Sequence, residues 1–224
     1  MIVSPAVPSD IPDAVAAGPF GSWLEQFGAS LRGSGGTDVP CGDCTGCCTS
    51  GYSIQVRPND TRARQRIPAA LLVSAPGFPR GDLTLPALPD GLCPMLKSGK
   101  CSIYADRPQT CLDYDCRIFA AAGIDAGGAD KGVINRRVRQ WRFSYLSDAD
   151  ERAHAAVLAA ASFIREKRAA FGAGRVPTAP TGIAVLAIKA HAVFLAPDID
   201  AKSDREIAAA IVTAGREFDS TLAP

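Results

Sequence analysis

The sequence predicts a mainly α protein with a small irregular α+β cysteine-rich subdomain, which includes a short β-hairpin, and a C-terminal helical part. All eight cysteines lie between residues 41 and 116, and apolar residues recur at helical spacing in the stretch that follows. Apolar residues make up 47% of the 224 positions, which is enough to form a core. We therefore divide the chain into an N-terminal helix and linker (1–36), a cysteine-cluster domain (37–125) and a C-terminal helical region (126–224).

The N-terminal part predicts one helix over residues 21–32, because Trp23, Phe27 and Leu31 recur at helical spacing. Ser22 and Glu25 have the spacing of a capping box at its start. The glycine-rich residues 33–36 predict the end of this helix and a flexible linker.

The cysteine-rich middle predicts short elements. Residues 52–56 alternate like a strand, and a helix capped by Asn59 or Asp60 follows through Ile67. Residues 74–91 are rich in proline and glycine, which is typical of an irregular surface loop. A tight hairpin around residues 97–99 then carries Cys93 and Cys101 on its two arms.

A helix is expected over residues 106–123, with Asp106 as its cap and Gly123 as its end. Cys111 and Cys116 lie five residues apart, which on a regular helix separates their directions by about 140°. The two thiols therefore face different directions unless the helix breaks between them.

The C-terminal region predicts four helices with apolar stripes, and we interpret it as a scaffold because it contains no convergent set of reactive residues. Ser147 caps the long second helix, an apolar third one follows Pro180, and Ser203 with Glu206 forms a capping box on the last. The stripe residues are Ile134, Val138, Trp141, Val157, Ala160, Ala161, Ile164, Ile207, Ala210, Ile211 and Ala214.

The segment CGDCTGCC at residues 41–48 places four thiols in eight positions. Disulfides rarely persist in a reducing compartment, and we expect this chain to be cytoplasmic, because residues 1–20 lack the basic start and unbroken apolar stretch of a secretory signal. A redox-active thiol pair usually begins a helix in a βαβ unit, which is not visible here. Two residues between cysteines aim both sulfurs at one ion, so the spacing favours a metal site.

All eight cysteines are candidate metal ligands: Cys41, Cys44, Cys47, Cys48, Cys93, Cys101, Cys111 and Cys116. Adjacent side chains diverge, so Cys47 and Cys48 do not complete the same simple tetrahedral site, and two centres are favoured. Buried thiolates need cations nearby. Lysines and arginines next to the cysteines can supply them: Lys97, Lys100, Arg107 and Arg117.

These motifs resemble the CxxCxxCC (YkgJ-like) family of zinc- or iron-chelating cysteine-cluster proteins. The resemblance rests on CGDCTGCC and on a second motif, C-x-I-Y-x-x-R-P-x-x-C, formed here by residues 101–111. It spans roughly residues 41–116 and implies that all eight cysteines are ligands, with Tyr104 and Arg107 as supports. Flagellin lysine N-methylases resemble this group too.

Soft thiolates suit both zinc and iron–sulfur clusters. His154 and His191 lack ligand-spaced partners and are interpreted as ordinary helix residues. The C-x2-C-x2-C run with the distant Cys93-Pro94 leads us to prefer an iron–sulfur cluster over zinc.

The sequence therefore predicts a metal-binding protein whose partner is a metal ion or cluster. Two alternatives stay open: a cluster-dependent protein-modifying enzyme, similar to the S-adenosylmethionine-dependent lysine N-methylases, or a small redox protein. The sequence leaves open whether the protein catalyses a reaction.

Neither a membrane nor nucleic acid is an expected partner. The net charge is +1, and the longest apolar run (182–196) is too short to span a bilayer. The basic segment 136–143 carries four arginines, but Val138 and Trp141 share a core-facing stripe. We interpret the segment as an amphipathic helix with a solvated basic face.

Overall fold

The computed structural model describes residues 13–37, 39–75, 77–172 and 176–220. Residues 1–12, over which we expect no secretory signal, lie outside the described part. The helices in chain order are α1 (Phe20–Leu31), α2 (Thr61–Arg66), α3 (Gln109–Asp113), α4 (Arg117–Ala122), α5 (Gly132–Gln140), α6 (Asp148–Glu166), α7 (Pro180–Ala190) and α8 (Asp204–Ser220). The strands are β1 (Val15–Pro19), β2 (Ile54–Val56), β3 (Val73–Ser74), β4 (Leu83–Leu85), β5 (Leu96–Lys97), β6 (Lys100–Cys101) and β7 (Trp141–Ser144). The mainly α prediction is confirmed.

Three small sheets accompany the helices. Strand β1 pairs in parallel with β7, β4 lies between β2 and β3 in an antiparallel sheet, and β5 pairs with β6. Ser98 and Gly99 both have positive φ, as this two-residue hairpin turn requires, so the predicted hairpin is confirmed; Cys101 lies on its second strand, whereas Cys93 lies before the first one. Strand β4 lies inside the segment predicted as an irregular loop, and that prediction was wrong because its pairing partners are distant in sequence.

The N-terminal helix begins and ends close to the predicted positions, but its predicted capping box is wrong. Helix α1 starts at Phe20 after Pro19, so Ser22 already lies within the first turn. The predicted flexible linker packs against α3: Thr37 N donates to Leu112 O at 3.0 Å, and a Cβ at Gly36 would lie 2.7 Å from Leu112 Cβ.

The expected helix over residues 106–123 is broken. A 3-10 turn (Tyr104–Asp106) precedes α3, and α4 begins only at Arg117. Gly123 ends α4 in the left-handed conformation, as predicted. Because the helix is broken between them, Cys111 and Cys116 are not held at the fixed angle that a regular helix would impose on their side chains.

The C-terminal helices agree with the sequence pattern. Ser147 Oγ accepts from Asp150 N at 3.2 Å, and Ser203 N donates to Glu206 Oε2 at 2.8 Å, which confirms both predicted caps. Trp141 is an exception, because it begins β7 and does not extend the stripe of α5.

The main hydrophobic core joins α1 to α4–α8, with Phe20, Phe119, Val157, Ala184 and Ile211 fully buried. A second cluster, around Val56, Leu85 and Ile103, lies beneath the β2–β4–β3 sheet and the hairpin. The cysteine-rich segment therefore contacts two cores. Within the described residues, every helix is too short or too polar to cross a membrane.

Candidate metal centre

All eight cysteines line one cavity of about 590 Å³, and all eight thiols are free. The remaining lining side chains are mostly apolar or aromatic, among them Val39, Tyr52, Ile103 and Ile134. Residues separated by up to 75 positions thus bring their sulfurs to one place. Every cysteine is partly buried.

The first group of interacting thiols consists of Cys41, Cys44 and Cys116. Burial raises the pKa of Cys41 to about 11, and the charges of Cys47 and Cys44 contribute to the rise. Burial also raises the pKa of Cys116 to about 12, with further contributions from Asp115, Cys41 and Cys44. Cys41 and Cys44 therefore lie close enough to Cys116 for their charges to raise its pKa.

The second group consists of Cys93, Cys101 and Cys111. Burial raises the pKa of Cys111 to about 12, and the charges of Cys47, Cys93 and Cys101 add to the effect. Burial, opposed by backbone hydrogen bonds, likewise raises the pKa of Cys93, and Cys101 contributes. The hairpin and α3 thus bring together thiols that are far apart in sequence.

The charge of Cys47 raises the pKa of thiols in both groups. Its sulfur is 3.9 Å from that of Cys48, and the hydrogen bond between them raises the pKa of Cys47. The backbone of Cys48 holds the second group in place, since Cys48 O accepts from Cys93 N at 2.7 Å.

A buried ion pair determines where Cys116 lies. The Asp115 carboxylate, which is 2% exposed, accepts from Arg117 Nη2 at 2.7 Å and from Trp23 Nε1 at 2.9 Å. Arg117 also donates to Ala17 O at 3.1 Å. Local sequence does not indicate this buried pair, because Trp23 and Ala17, which contact its two members, lie about 100 residues away in the chain.

Two N–H groups donate to sulfur in the first group. Gly46 N donates to Cys44 Sγ at 3.4 Å, and Trp141 Nε1 donates to Cys116 Sγ at 3.2 Å. The sequence indicates nothing of the second contact, since Trp141 is 25 residues from Cys116. Such contacts stabilise the negative charge of a thiolate.

Cations surround the cavity, but they are not all the ones expected. Arg107 and Lys100 line it, and Arg107 lowers the pKa of both Cys41 and Cys111. Arg117 is instead bound to Asp115. Arg137 of α5 also lines the cavity, and its interactions with Cys44 outweigh burial and raise its pKa.

The donor set fits zinc or an iron–sulfur cluster, because soft thiolates predominate around the cavity. No three His, Cys, Asp or Glu side chains in the described part of the chain stand in an arrangement that could hold a metal ion as they are placed. A cysteine sulfur moves by rotation about a single bond, so ligation requires side-chain rotation.

Neither histidine lines this cavity. His154 Nδ1 shares a hydrogen bond of 2.7 Å with Tyr145 Oη, and its ring stacks on Phe20 at 4.3 Å between centroids. His191 Nδ1 lies 2.7 Å from Ile188 O. Both side chains have local structural contacts.

Comparison with known proteins identifies the segment that forms this cavity. Residues 40–126 match the model of the CxxCxxCC family, described as a "putative zinc- or iron-chelating domain". No curated protein and no solved structure matches the chain. The matched segment contains every cysteine of the cavity. Residues 40–126 are therefore similar to the CxxCxxCC family.

Proposed function

We propose that this protein binds metal through all eight cysteines, which form two neighbouring thiolate centres. The observation that carries this proposal is the convergence of eight free thiols on one cavity of about 590 Å³. The family description of a zinc- or iron-chelating domain agrees with a metal-binding role.

The two groups of interacting thiols support two centres. Cys41, Cys44 and Cys116 would provide three ligands of the first centre, and Cys93, Cys101 and Cys111 three ligands of the second. Cys47 acts on thiols of both groups and its sulfur lies 3.9 Å from that of Cys48, so each centre would gain a fourth thiolate from this adjacent pair. Four thiolates are the usual complement of both zinc and iron–sulfur sites.

We propose an iron–sulfur cluster in preference to zinc. N–H groups of Gly46 and Trp141 donate to sulfurs of the first group, and hydrogen bonds of this kind tune cluster potentials. The C-x2-C-x2-C spacing of Cys41, Cys44 and Cys47 is also common among cluster ligands.

Anaerobic purification, followed by metal and acid-labile sulfide analysis and an absorption spectrum, tests this proposal. Iron with matching sulfide and a brown chromophore is the expected result. Zinc at about two per chain without sulfide would retain the two-centre proposal and overturn the choice of metal. Protein that stays free of metal after reconstitution with either metal would overturn both.

Replacing one proposed ligand tests whether that cysteine binds the metal. Cys44→Ser should lose metal and lower the stability of the cysteine-rich segment, because metal affinity and folding are coupled at such sites. His154→Ala is the control, since His154 does not line the cavity and its variant should keep the wild-type metal content. Full metal content together with unchanged melting of Cys44→Ser would remove Cys44 from the ligand set.

If the protein contains an iron–sulfur cluster, the redox and enzymatic alternatives can be tested directly. A redox protein predicts reversible bleaching of the chromophore on reduction. A lysine N-methylase-like activity predicts binding of S-adenosylmethionine by the cluster-loaded protein.

A further inference from the structure

We propose that Trp141 and Arg137, which lie outside residues 40–126, are positioning residues for the thiolates of Cys116 and Cys44. The inference rests on the proposed function and assigns part of the metal site to the C-terminal region. Both side chains come from the corner where α5 ends and β7 begins.

Trp141 makes a direct contact with a proposed ligand. Its indole Nε1 donates to Cys116 Sγ at 3.2 Å, and the side chain is 3% exposed. A neutral thiol is a weak hydrogen-bond acceptor, whereas a thiolate accepts strongly. The contact therefore contributes more when Cys116 carries the negative charge of a metal-bound thiolate.

The surrounding structure holds the indole at this position. Strand β7 pairs with β1 so that Trp141 lies opposite Val15, and the ring packs with Ala17 and Val39 in a small buried cluster. Cys41 and Cys116 pack against the same cluster. A ring constrained on these sides loses little rotational freedom when metal binds, because its orientation is already fixed by packing.

Arg137 provides positive charge at Cys44. Its side chain is 15% exposed and lines the cavity, and its Nη2 lies 3.4 Å from Oδ1 of the fully exposed Asp43. Its Nε is buried and makes no hydrogen bond within the part of the chain that the structure describes. A four-thiolate centre carries net negative charge, so a guanidinium at its edge favours the loaded state.

Close packing keeps α5 against the cysteine loop. A Cβ at Gly46 would lie 3.3 Å from Ile134 Cγ1, so the loop between Cys44 and Cys47 approaches the α5 backbone closely. The distance between Arg137 and Cys44 is therefore set by backbone contact as well as by side-chain packing. The C-terminal region completes the surroundings of the first centre.

Matched pairs of variants test this inference in the full-length chain under anaerobic, reducing conditions. Trp141→Phe removes the N–H and keeps an aromatic ring, and Tyr145→Phe also removes one hydrogen-bonding group from a ring, at a residue that contacts His154 and does not line the cavity. Arg137→Gln is paired with Arg139→Gln, because Arg139 lies on the same helix and pairs with the exposed Asp125. Two quantities are measured. The first is the Zn²⁺ affinity, obtained by competition with a chromophoric chelator, and the second is the position of the thiolate-to-metal charge-transfer band with Co²⁺.

Trp141→Phe and Arg137→Gln should each weaken Zn²⁺ binding by about 10–100-fold, the usual effect of losing an outer contact to a ligand. The Co²⁺ band should shift in Trp141→Phe, and both control variants should match the wild type in affinity and band position. A purely structural role would lower the melting temperature of the metal-free protein without moving the band, and that result would overturn the inference. Equal affinity of Trp141→Phe and the wild type would also overturn it and leave the proposed function standing, whereas a wild type that binds neither of these ions nor an iron–sulfur cluster would overturn both.

Discussion

Among single residues, His154 shows how burial converts an ordinary helix position into a pH-sensitive one. Its ring stacks on Phe20, and its Nδ1 shares a hydrogen bond with Tyr145 Oη. Burial lowers its pKa below the ordinary 6.5, although the carbonyls of Ala121 and Ala120 oppose the shift. The neutral form therefore predominates in the folded protein.

The direction of this shift predicts an acid-sensitive fold. As the pH falls below about 6.5, the unfolded chain binds a proton at His154 that the folded chain resists, so the free energy of unfolding decreases. Urea unfolding between about pH 7.5 and about pH 5.5 should show a steeper decrease for the wild type than for His154→Gln, which cannot titrate. Parallel pH profiles for the two proteins would contradict the prediction.

Trp141 illustrates a residue whose role depends on distant neighbours. Its spacing with Ile134 and Val138 predicts a core position on a helix, and the residue is indeed buried. Its indole N–H, however, reaches the sulfur of Cys116 because β7 pairs with β1. Helical periodicity contains no information about either contact.

Among the elements, the break between α3 and α4 depends on the Asp115–Arg117 pair. Arg117 donates to both carboxylate oxygens and also to Ala17 O and Thr37 O. Helix α4 therefore begins at Arg117 while attached to β1 and to the segment before Cys41. In a continuous helix over residues 106–123, the side chains of Asp115 and Arg117 would point away from these partners.

Removing the cation of this pair should be strongly destabilising. Arg117→Met leaves the Asp115 carboxylate buried without its counter-ion, which costs about 3–5 kcal/mol. Arg139→Met is the control, because its pair with Asp125 is largely exposed and contributes about 0–1 kcal/mol. Urea unfolding of the metal-free proteins measures both, and similar losses in the two variants would contradict the assignment.

In the whole molecule, the cysteine-rich segment and the C-terminal helices are stabilised by different interactions. The helices share the main core around Val157, Ile164 and Ile211, whereas the second core around Val56 and Leu85 is small. The proposed metal would therefore contribute mainly to residues 41–116.

Metal removal should reveal this division. Chelation should raise amide hydrogen exchange across residues 41–116, because thiols without metal no longer link the loop, the hairpin and α3. Exchange in α6 and α7 should change little, since these helices pack mainly against each other and against helices outside residues 41–116. Hydrogen exchange by mass spectrometry, with and without chelator, measures both regions, and an equal rise in both would contradict the prediction.

Local patterns in the chain are sufficient to predict the mainly α class, the hairpin, the caps at Ser147 and Ser203, and the similarity of the cysteine-rich segment to the CxxCxxCC family. Each of these features depends on local spacing or on residue type, and both can be read from the sequence before the fold is known. Tertiary structure alone decided the pairing of β1 with β7, the place of β4, the break at Asp115 and the approach of Trp141 to Cys116. Those features are contacts between distant segments, and they form only when burial of the two cores brings the segments together.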